Sequence, residues 1–201
     1  MTYAWRSFAM VSALALAACG SNTERKADNA VDAAQNAIAN TADATGNVLE
    51  NAGQALMPTP SPQEFVNRAA RSDAFEIAAA ELAAKNASSA AVKDFARMMV
   101  DAHNQSTAAI KKAAAAATPA VTPDAALTSD QQEDLAELRA LTGERFDKEY
   151  IDGQVDAHED ALDLMKKYAA DGEAASLKNA ARELVPVIEK HLARARELDK
   201  D

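Results

Sequence analysis

Cysteine and aromatic residues are scarce in this chain, and each scarcity excludes a way of building a fold. The 201 residues include a single cysteine, Cys19, so no intramolecular disulfide can form. Aromatic residues account for 4% of the chain, and alanine is the most frequent of the hydrophobic residues that make up 48%. We therefore expect a core of closely packed helices with few large side chains. Strand-like alternation is missing as well, which predicts an all-α protein.

Basic charge is also in short supply. Lys and Arg number 21 against 31 Asp and Glu, which gives a net charge of −10. The basic residues are scattered among acidic ones, as on a solvated helix surface, so we expect no nucleic acid partner and no basic patch for anionic lipid. The chain has no glycine-rich phosphate loop, nucleotide-binding fingerprint or hydrolase triad signature. These absences favour a protein without catalytic activity.

The amino-terminal apolar run, residues 8–18, is too short for the roughly 20 residues of a membrane-spanning helix. It follows Arg6 and ends in Leu-Ala-Ala before Cys19, which resembles the lipobox of bacterial lipoproteins. This resemblance implies a signal peptide over residues 1–18, lipid attachment at Cys19 and a place on the periplasmic side of the bacterial cell envelope. Gly20 in place of aspartate favours the outer membrane. The alternative is an ordinary signal peptide with an incidental cysteine.

Residues 19–60 are predicted to form a lipid-anchored tether. Small and polar residues come first, and a weak amphipathic pattern follows over residues 30–56. Prolines at 58 and 60 then favour an extended spacer. The tether is either flexible or weakly helical, and in the second case its helix could lie on a membrane or a partner protein.

The folded domain is predicted over residues 61–201. Ser61 as N-cap, Pro62 at the first helical position and Glu64 two residues later mark the start of a helix that ends near Asn86. Ser129 with Gln132 is the predicted cap of a later, short helix. Helical spacing of apolar residues predicts the remaining helices over about 90–117, 129–141, 144–170 and 174–199.

The connection between the second and third long helices decides the topology. A helix of about 28 residues is about 42 Å long. Residues 118–142 combine an extended stretch with the short helix, which is enough chain to return along the whole bundle. This predicts a ferritin-like four-helix bundle with one long crossover connection that contains a short helix.

The candidate site consists of polar residues at inward positions, one on each long helix. His103 and His158 both close a Val-Asp-Ala-His sequence, and His191 is the third and last histidine of the chain. Apolar residues three, four and seven positions away place each histidine on the buried face of its helix. An inward carboxylate on the first helix completes the set of predicted metal ligands: Glu76, His103, His158 and His191.

These four residues lie at similar heights, because each is about 12 to 19 residues from the loop of its helical hairpin. Three imidazoles and a carboxylate suit one transition metal ion, such as iron, manganese, zinc or copper. A network without metal is the alternative, in which the histidines bond one another, Glu76, Asp73 and Tyr150. For Tyr150 itself we expect a core position with a hydrogen-bonded hydroxyl.

A family resemblance rests on short motifs that occur in order along the folded domain. These are Phe65-Val66, Glu76, Val92-Lys93, Phe95-Ala96, Met99 to His103, Phe146 to Tyr150, His158, Leu184-Val185-Pro186 and His191. Together they resemble the bacterial "domain of unknown function 4142" family, whose members are often envelope proteins. The resemblance implies a ferritin-like bundle and brings no established activity. Ala102 stands where members often carry an aspartate directly before the histidine, and Asp101 lies one position earlier.

Di-iron chemistry does not fit the pattern, because ferritins use Glu-x-x-His twice. Here Val100, Val155 and Ile188 stand three residues before the histidines. Three hypotheses remain. The first is a lipid-anchored binding module that holds one metal ion or small ligand. The second is a metal-free interaction or envelope-stress protein with an unknown protein partner. The third is a redox metalloenzyme that uses the same residues.

Overall fold

A computed structural model describes residues 58–200, which form five helices and no strand. The helices are α1 (Pro62–Asn86), α2 (Ala90–Ala115), α3 (Ser129–Ala140), α4 (Glu144–Asp171) and α5 (Ala175–Leu198). The all-α prediction is thereby confirmed. The predicted signal peptide, the lipid attachment at Cys19 and almost all of the tether lie outside the described residues. Within residues 58–200, no helix combines the length and apolar character needed to span a bilayer.

The N-caps of α1 and α3 can be compared with the capping residues predicted from the sequence. Ser61 is the N-cap of α1 as predicted, and its hydroxyl accepts a hydrogen bond from the Glu64 amide at 3.3 Å. The predicted cap of α3 is wrong by one residue. Thr128, not Ser129, caps this helix, and its backbone and side chain exchange two 3.2 Å bonds with Gln131. Thr128 and Gln131 have the same capping-box spacing as the pair one residue later, so local sequence alone does not separate them.

Contacts at the helix ends define the topology. Phe65 near the start of α1 stacks on Tyr168 near the end of α4, with ring centroids 3.9 Å apart. At the opposite end, the Gly143 amide donates to the Asn86 carbonyl at 2.9 Å, so α1 and α4 are antiparallel. Because α2 begins beside the end of α1, α2 and α4 start at the same end of the bundle and run parallel.

The crossover connection follows α1 from one end of the bundle to the other. Gln63 Nε2 donates to the Thr122 carbonyl at 2.7 Å, and Asn67 Oδ1 accepts from the Asp124 amide at 2.9 Å. At the far end, Asn86 Nδ2 donates to the Leu141 carbonyl at 3.0 Å. Helix α3 lies within this connection and packs on α1 and α4. The predicted ferritin-like bundle with one long crossover and a short helix is confirmed.

The core consists of two apolar clusters, one towards each end of the bundle. The first gathers around Phe95, Phe146 and Ile151. The second gathers around Phe65, Ile110 and Leu177. Between these clusters, three of the long helices carry buried polar side chains, namely Asp73, Glu76, Gln154, His158 and His191. On the fourth long helix, α2, His103 lies in the same layer with its side chain 12% exposed. A polar layer therefore separates two apolar halves at the middle of the bundle.

Candidate metal centre

Three histidines from three different helices meet in the polar layer. The ring centroids of His103 and His158 are 5.7 Å apart, and those of His158 and His191 are 5.6 Å apart. The remaining pair, His103 and His191, is separated by 6.3 Å. One nitrogen from each ring lies within 4.8 Å of the corresponding nitrogens of the other two. The apolar spacing around each histidine turns its ring inward, and the crossover topology places the three rings at one height.

His103 is oriented by a carboxylate on the neighbouring helix. Its Nδ1 lies 2.8 Å from Asp73 Oδ1, and the other oxygen of Asp73 accepts a 2.9 Å bond from the Thr107 hydroxyl. A carboxylate only accepts, so Nδ1 carries the proton of this bond. His103 Nε2 is buried and has no hydrogen-bond partner among the described residues. This arrangement leaves Nε2 as the nitrogen available to a metal, as in carboxylate–histidine–metal triads.

His158 is oriented in the same way by the backbone of its own helix. Its Nδ1 lies 2.8 Å from the carbonyl oxygen of Gln154, one turn earlier. Because a carbonyl can only accept, Nδ1 is again protonated, and the lone pair of the neutral ring lies on Nε2. That atom is also buried without a partner in the described part of the chain. His103 and His158 therefore both have Nε2 buried without a partner among the described residues.

Burial and charge set the protonation states of the rings. Burial, together with the charge of His103, lowers the pKa of His158 to about 4 and that of His191 to about 4. Both rings are therefore neutral near pH 7, as metal ligands must be. Burial opposes charge on His103 too, but the bond to Asp73 and the charges of Glu76 and Asp73 outweigh it and raise its pKa. Because the pKa of His103 is higher than those of the other two rings, His103 is protonated in a larger fraction of molecules, and a metal that binds there would have to displace that proton.

Glu76, the predicted carboxylate ligand, lies beside the histidines rather than among them. It does not belong to the group of closely spaced ligand atoms found in residues 58–200. Its side chain is 1% exposed, and one carboxylate oxygen accepts a hydrogen bond from Gln154 Nε2. Burial raises the pKa of Glu76, although the charge of His103 and the Gln154 bond act against it. Its role as a ligand, like that of the three histidines, stays a prediction.

The polar layer also contains residues that the sequence interpretation left out. The backbone carbonyl of Gln154 accepts from His158, and its side-chain amide donates to Glu76. The hydroxyl of Thr107 donates to Asp73. Gln154 precedes His158 by four residues, so its inward position could have been read from helical spacing. Asp101, the carboxylate nearest to His103 in sequence, is exposed, and the partner of His103 comes from α1 instead.

Tyr150 occupies the core position expected for it but lacks the expected bond. The residue is 2% exposed, and no described residue bonds its hydroxyl. Burial and the nearby charge of Glu76 raise its pKa well above the usual value. One oxygen each of Glu76 and Gln154 is likewise buried without a partner among the described residues. The prediction of a bonded tyrosine hydroxyl is thus not met within the described chain.

The fold and this site define a class of protein: a ferritin-like four-helix bundle with a buried cluster of three histidines at mid-height. Residues 47–198 match the family model described as "Domain of unknown function (DUF4142)", and the chain belongs to this family. The family resemblance noted in the sequence is thereby confirmed.

Comparison with solved structures finds the same fold in another protein. The chain is similar to "CopM in the Cu(I)-bound form", with a TM-score of 0.56 and 15% sequence identity. The match covers 69% of this chain and 94% of that one. At this level of identity the likeness concerns the fold. No curated protein compared with this chain matches it.

Proposed function

We propose that this protein binds one transition metal ion through His103, His158 and His191, as a lipid-anchored component of the bacterial cell envelope. The observation that carries the proposal is the shared orientation of His103 and His158. Each ring has its Nδ1 tied to an oxygen acceptor, while its Nε2 is buried and unpartnered next to the other rings.

The spacing of the rings is close to that of a metal site. A His–metal bond is about 2 Å long, so ligand nitrogens in a trigonal or tetrahedral site lie about 3.3–3.5 Å apart. The three nitrogens lie within 4.8 Å of one another, so their separations exceed the distance in a metal site by at most little more than 1 Å. Small rotations of the imidazoles would close that gap. Without a bound ion, each buried unpartnered nitrogen costs about 1–3 kcal/mol, and metal coordination would offset this cost.

Copper is the metal that the donor set and the structural neighbour favour together. Three neutral imidazoles suit copper or zinc better than manganese, which prefers oxygen ligands, and divalent copper heads the affinity series. The thioether of Met165 lines the cavity beside the histidines, and sulfur of this kind selects Cu(I). CopM, which shares the fold, was solved in its Cu(I)-bound form.

The lipobox-like sequence before Cys19 supports the envelope location, and the tether would hold the bundle away from the membrane. Gly20 favours the outer membrane over the inner membrane. A metal site there would meet ions of the periplasm. The acidic surface, with a net charge of −10, would raise the local concentration of cations near the bundle.

Metal content tests the proposal directly. The protein is purified in detergent without a His tag or chelator and titrated with Cu(I), under anaerobic conditions, against a chromophoric competitor. We expect about one tightly bound equivalent in the parent and its loss in His103→Ala, His158→Ala and His191→Ala. Asn104→Ala, at an exposed position next to His103, is the matched control and should bind like the parent.

A metal-free network is the second candidate function, and the Asp73–His103 pair favours it, since that bond forms without any ion. In that case the histidines would be structural, and the acidic surface and tether would serve a protein partner. Absence of bound copper, zinc, iron and manganese in a folded parent protein would establish this alternative and overturn the metal proposal.

A further inference from the structure

We propose that the metal centre has an open coordination position, and that a small exogenous ligand reaches this position through a cavity beside the histidines. The ligand class is a two- or three-atom donor, such as water, carbon monoxide or azide. This inference rests on the metal site proposed above. It adds an activity, because a closed site only stores or carries its ion, whereas an open one binds a further molecule.

The number of protein ligands favours an open position. The group of closely spaced donors found in residues 58–200 contains three histidines and no cysteine, aspartate or glutamate. Structural zinc sites in proteins are usually closed by four protein ligands, whereas three protein ligands with one free position are typical of catalytic zinc sites. Asp73 and Glu76 line the adjoining cavity outside this group. Both oxygens of Asp73 are bonded, one to His103 and one to Thr107, whereas Glu76 bonds Gln154 through one oxygen and has the other buried without a partner among the described residues.

The space beside the rings is large enough for a small molecule. A cavity of about 50 Å³ borders all three histidines. One water molecule needs about 10–15 Å³ of such space, so the cavity accommodates a diatomic or triatomic molecule. Part of its wall, on helices α1, α2 and α4, consists of side chains that end at Cβ or one atom beyond it. These residues are Ala69, Ser72, Ala102, Ser106, Ala157 and Ala161.

Some residues of the cavity wall are in contact with solvent. Val187 on α5 lines the same cavity and is 39% exposed. Ala102 and Ser106 on the adjacent helix α2 also line it and are half-buried. The wall of the cavity therefore reaches the surface between α2 and α5. Small molecules could enter there without unfolding of the bundle.

Met165 is the residue that could close the site instead. It is 4% exposed, lines the cavity and carries a soft sulfur atom. If its thioether became the fourth ligand of Cu(I), no position would remain for an exogenous molecule. The experiment therefore has to separate an open centre from one that Met165 occupies.

Carbon monoxide is the probe, because it binds Cu(I) and its stretching band reports the complex in the infrared. The full-length protein is loaded anaerobically with one equivalent of Cu(I), bound copper is measured, and carbon monoxide is added. We expect one adduct per copper in the parent. Ala161→Leu should retain copper but bind carbon monoxide at least about tenfold more weakly, because the added side chain fills the cavity. Ala108→Leu, at an exposed position on α2, should behave like the parent.

Each remaining outcome contradicts the inference in a distinguishable way. If the parent binds copper but forms no adduct, the open position is overturned while the metal site stands. If an adduct appears only in Met165→Leu, the thioether of Met165 is the fourth ligand. Equal carbon monoxide affinity in the parent and in Ala161→Leu overturns the cavity as the route. Ala102→Leu on another helix repeats this comparison if Ala161→Leu does not fold. Failure of the parent to bind copper overturns the metal site itself.

Discussion

Asp73 on α1 and His103 on α2 are joined by a hydrogen bond of 2.8 Å between Oδ1 and Nδ1. This bond links the two helices of the first hairpin in the buried layer where three histidines meet. It leaves Nε2 of His103 buried without a partner among the described residues and raises the pKa of His103 against the effect of burial. One carboxylate thereby sets both the direction and the basicity of the ring.

Asp73→Asn tests this orienting role. The substitution preserves shape but removes the negative charge that supports His103. We expect metal affinity to fall about 10- to 100-fold, the usual cost of losing such a partner, with the stoichiometry unchanged. A competition titration with Cu(I) measures the effect. Asp101→Asn, which alters an exposed carboxylate two residues before His103, is the control. Equal affinities in both variants would contradict the role assigned to Asp73.

The stability of the metal-free protein should depend on pH through His158 and His191. Their folded pKa values of about 4 lie below the unfolded value of 6.5. As the pH falls from about 6.5 to 4, the unfolded chain takes up protons first, so the free energy of unfolding decreases. The opposite sign applies to His103, whose raised pKa stabilises the fold below 6.5, an effect lost as the pH rises through its folded pKa.

His158→Gln isolates the acid-side effect. Since one pKa unit corresponds to about 1.4 kcal/mol, His158 accounts for a loss of about 2–3 kcal/mol across this range. Denaturant unfolding in the presence of a chelator, at pH 7 and at pH 4.5, should show a smaller decrease for the variant than for the parent. An identical decrease in both proteins would mean that His158 does not titrate as its burial indicates.

Tyr150→Phe should leave stability unchanged within about 1 kcal/mol or increase it. The hydroxyl has no bonding partner among the described residues, so its removal loses no bond and ends a desolvation cost. Phe146→Ala, at a fully buried neighbouring position, should instead cost about 3–5 kcal/mol and shows that the assay detects core damage. A loss above 2 kcal/mol for Tyr150→Phe would indicate that its hydroxyl is bonded after all.

Lipid attachment is tested at Cys19, the only cysteine. In a bacterial host, the parent protein should fractionate with the outer membrane and incorporate labelled fatty acid. Cys19→Ser should abolish the label and release the protein from the membrane fraction. Ser21→Ala, two residues away, controls for an effect of any change near this site. Retention of the label in Cys19→Ser would exclude the lipoprotein hypothesis.

Much of the fold was predictable because its signals are local. The cap at Ser61, the apolar spacing on each long helix and the length of residues 118–142 together predict the helices and the crossover. The N-cap of α3 was misplaced by one residue, because Thr128 and Ser129 offer equivalent capping boxes. In the folded chain it is Thr128 that forms the capping box, through its two hydrogen bonds with Gln131.

The candidate site was predictable in part for a related reason. Helical spacing indicates which residues point inward, so it identified the three histidines and Glu76. It does not indicate which inward groups lie within bonding distance across two helices. That distance depends on how the helices are shifted and rotated against each other, and a change of one residue moves a side chain by 1.5 Å along the axis. This relative placement of the helices brings Asp73 to His103 and Gln154 to Glu76.

The sequence by itself determined the class of fold, the inward positions of the histidines and the acidic surface, because each depends on composition or on spacing along one helix. Only the tertiary structure decided that His103 bonds Asp73 rather than Asp101 and that Glu76 lies outside the group of three rings. Side-chain packing between helices also left the cavity beside the histidines. These properties depend on distances between helices, which no single stretch of sequence contains.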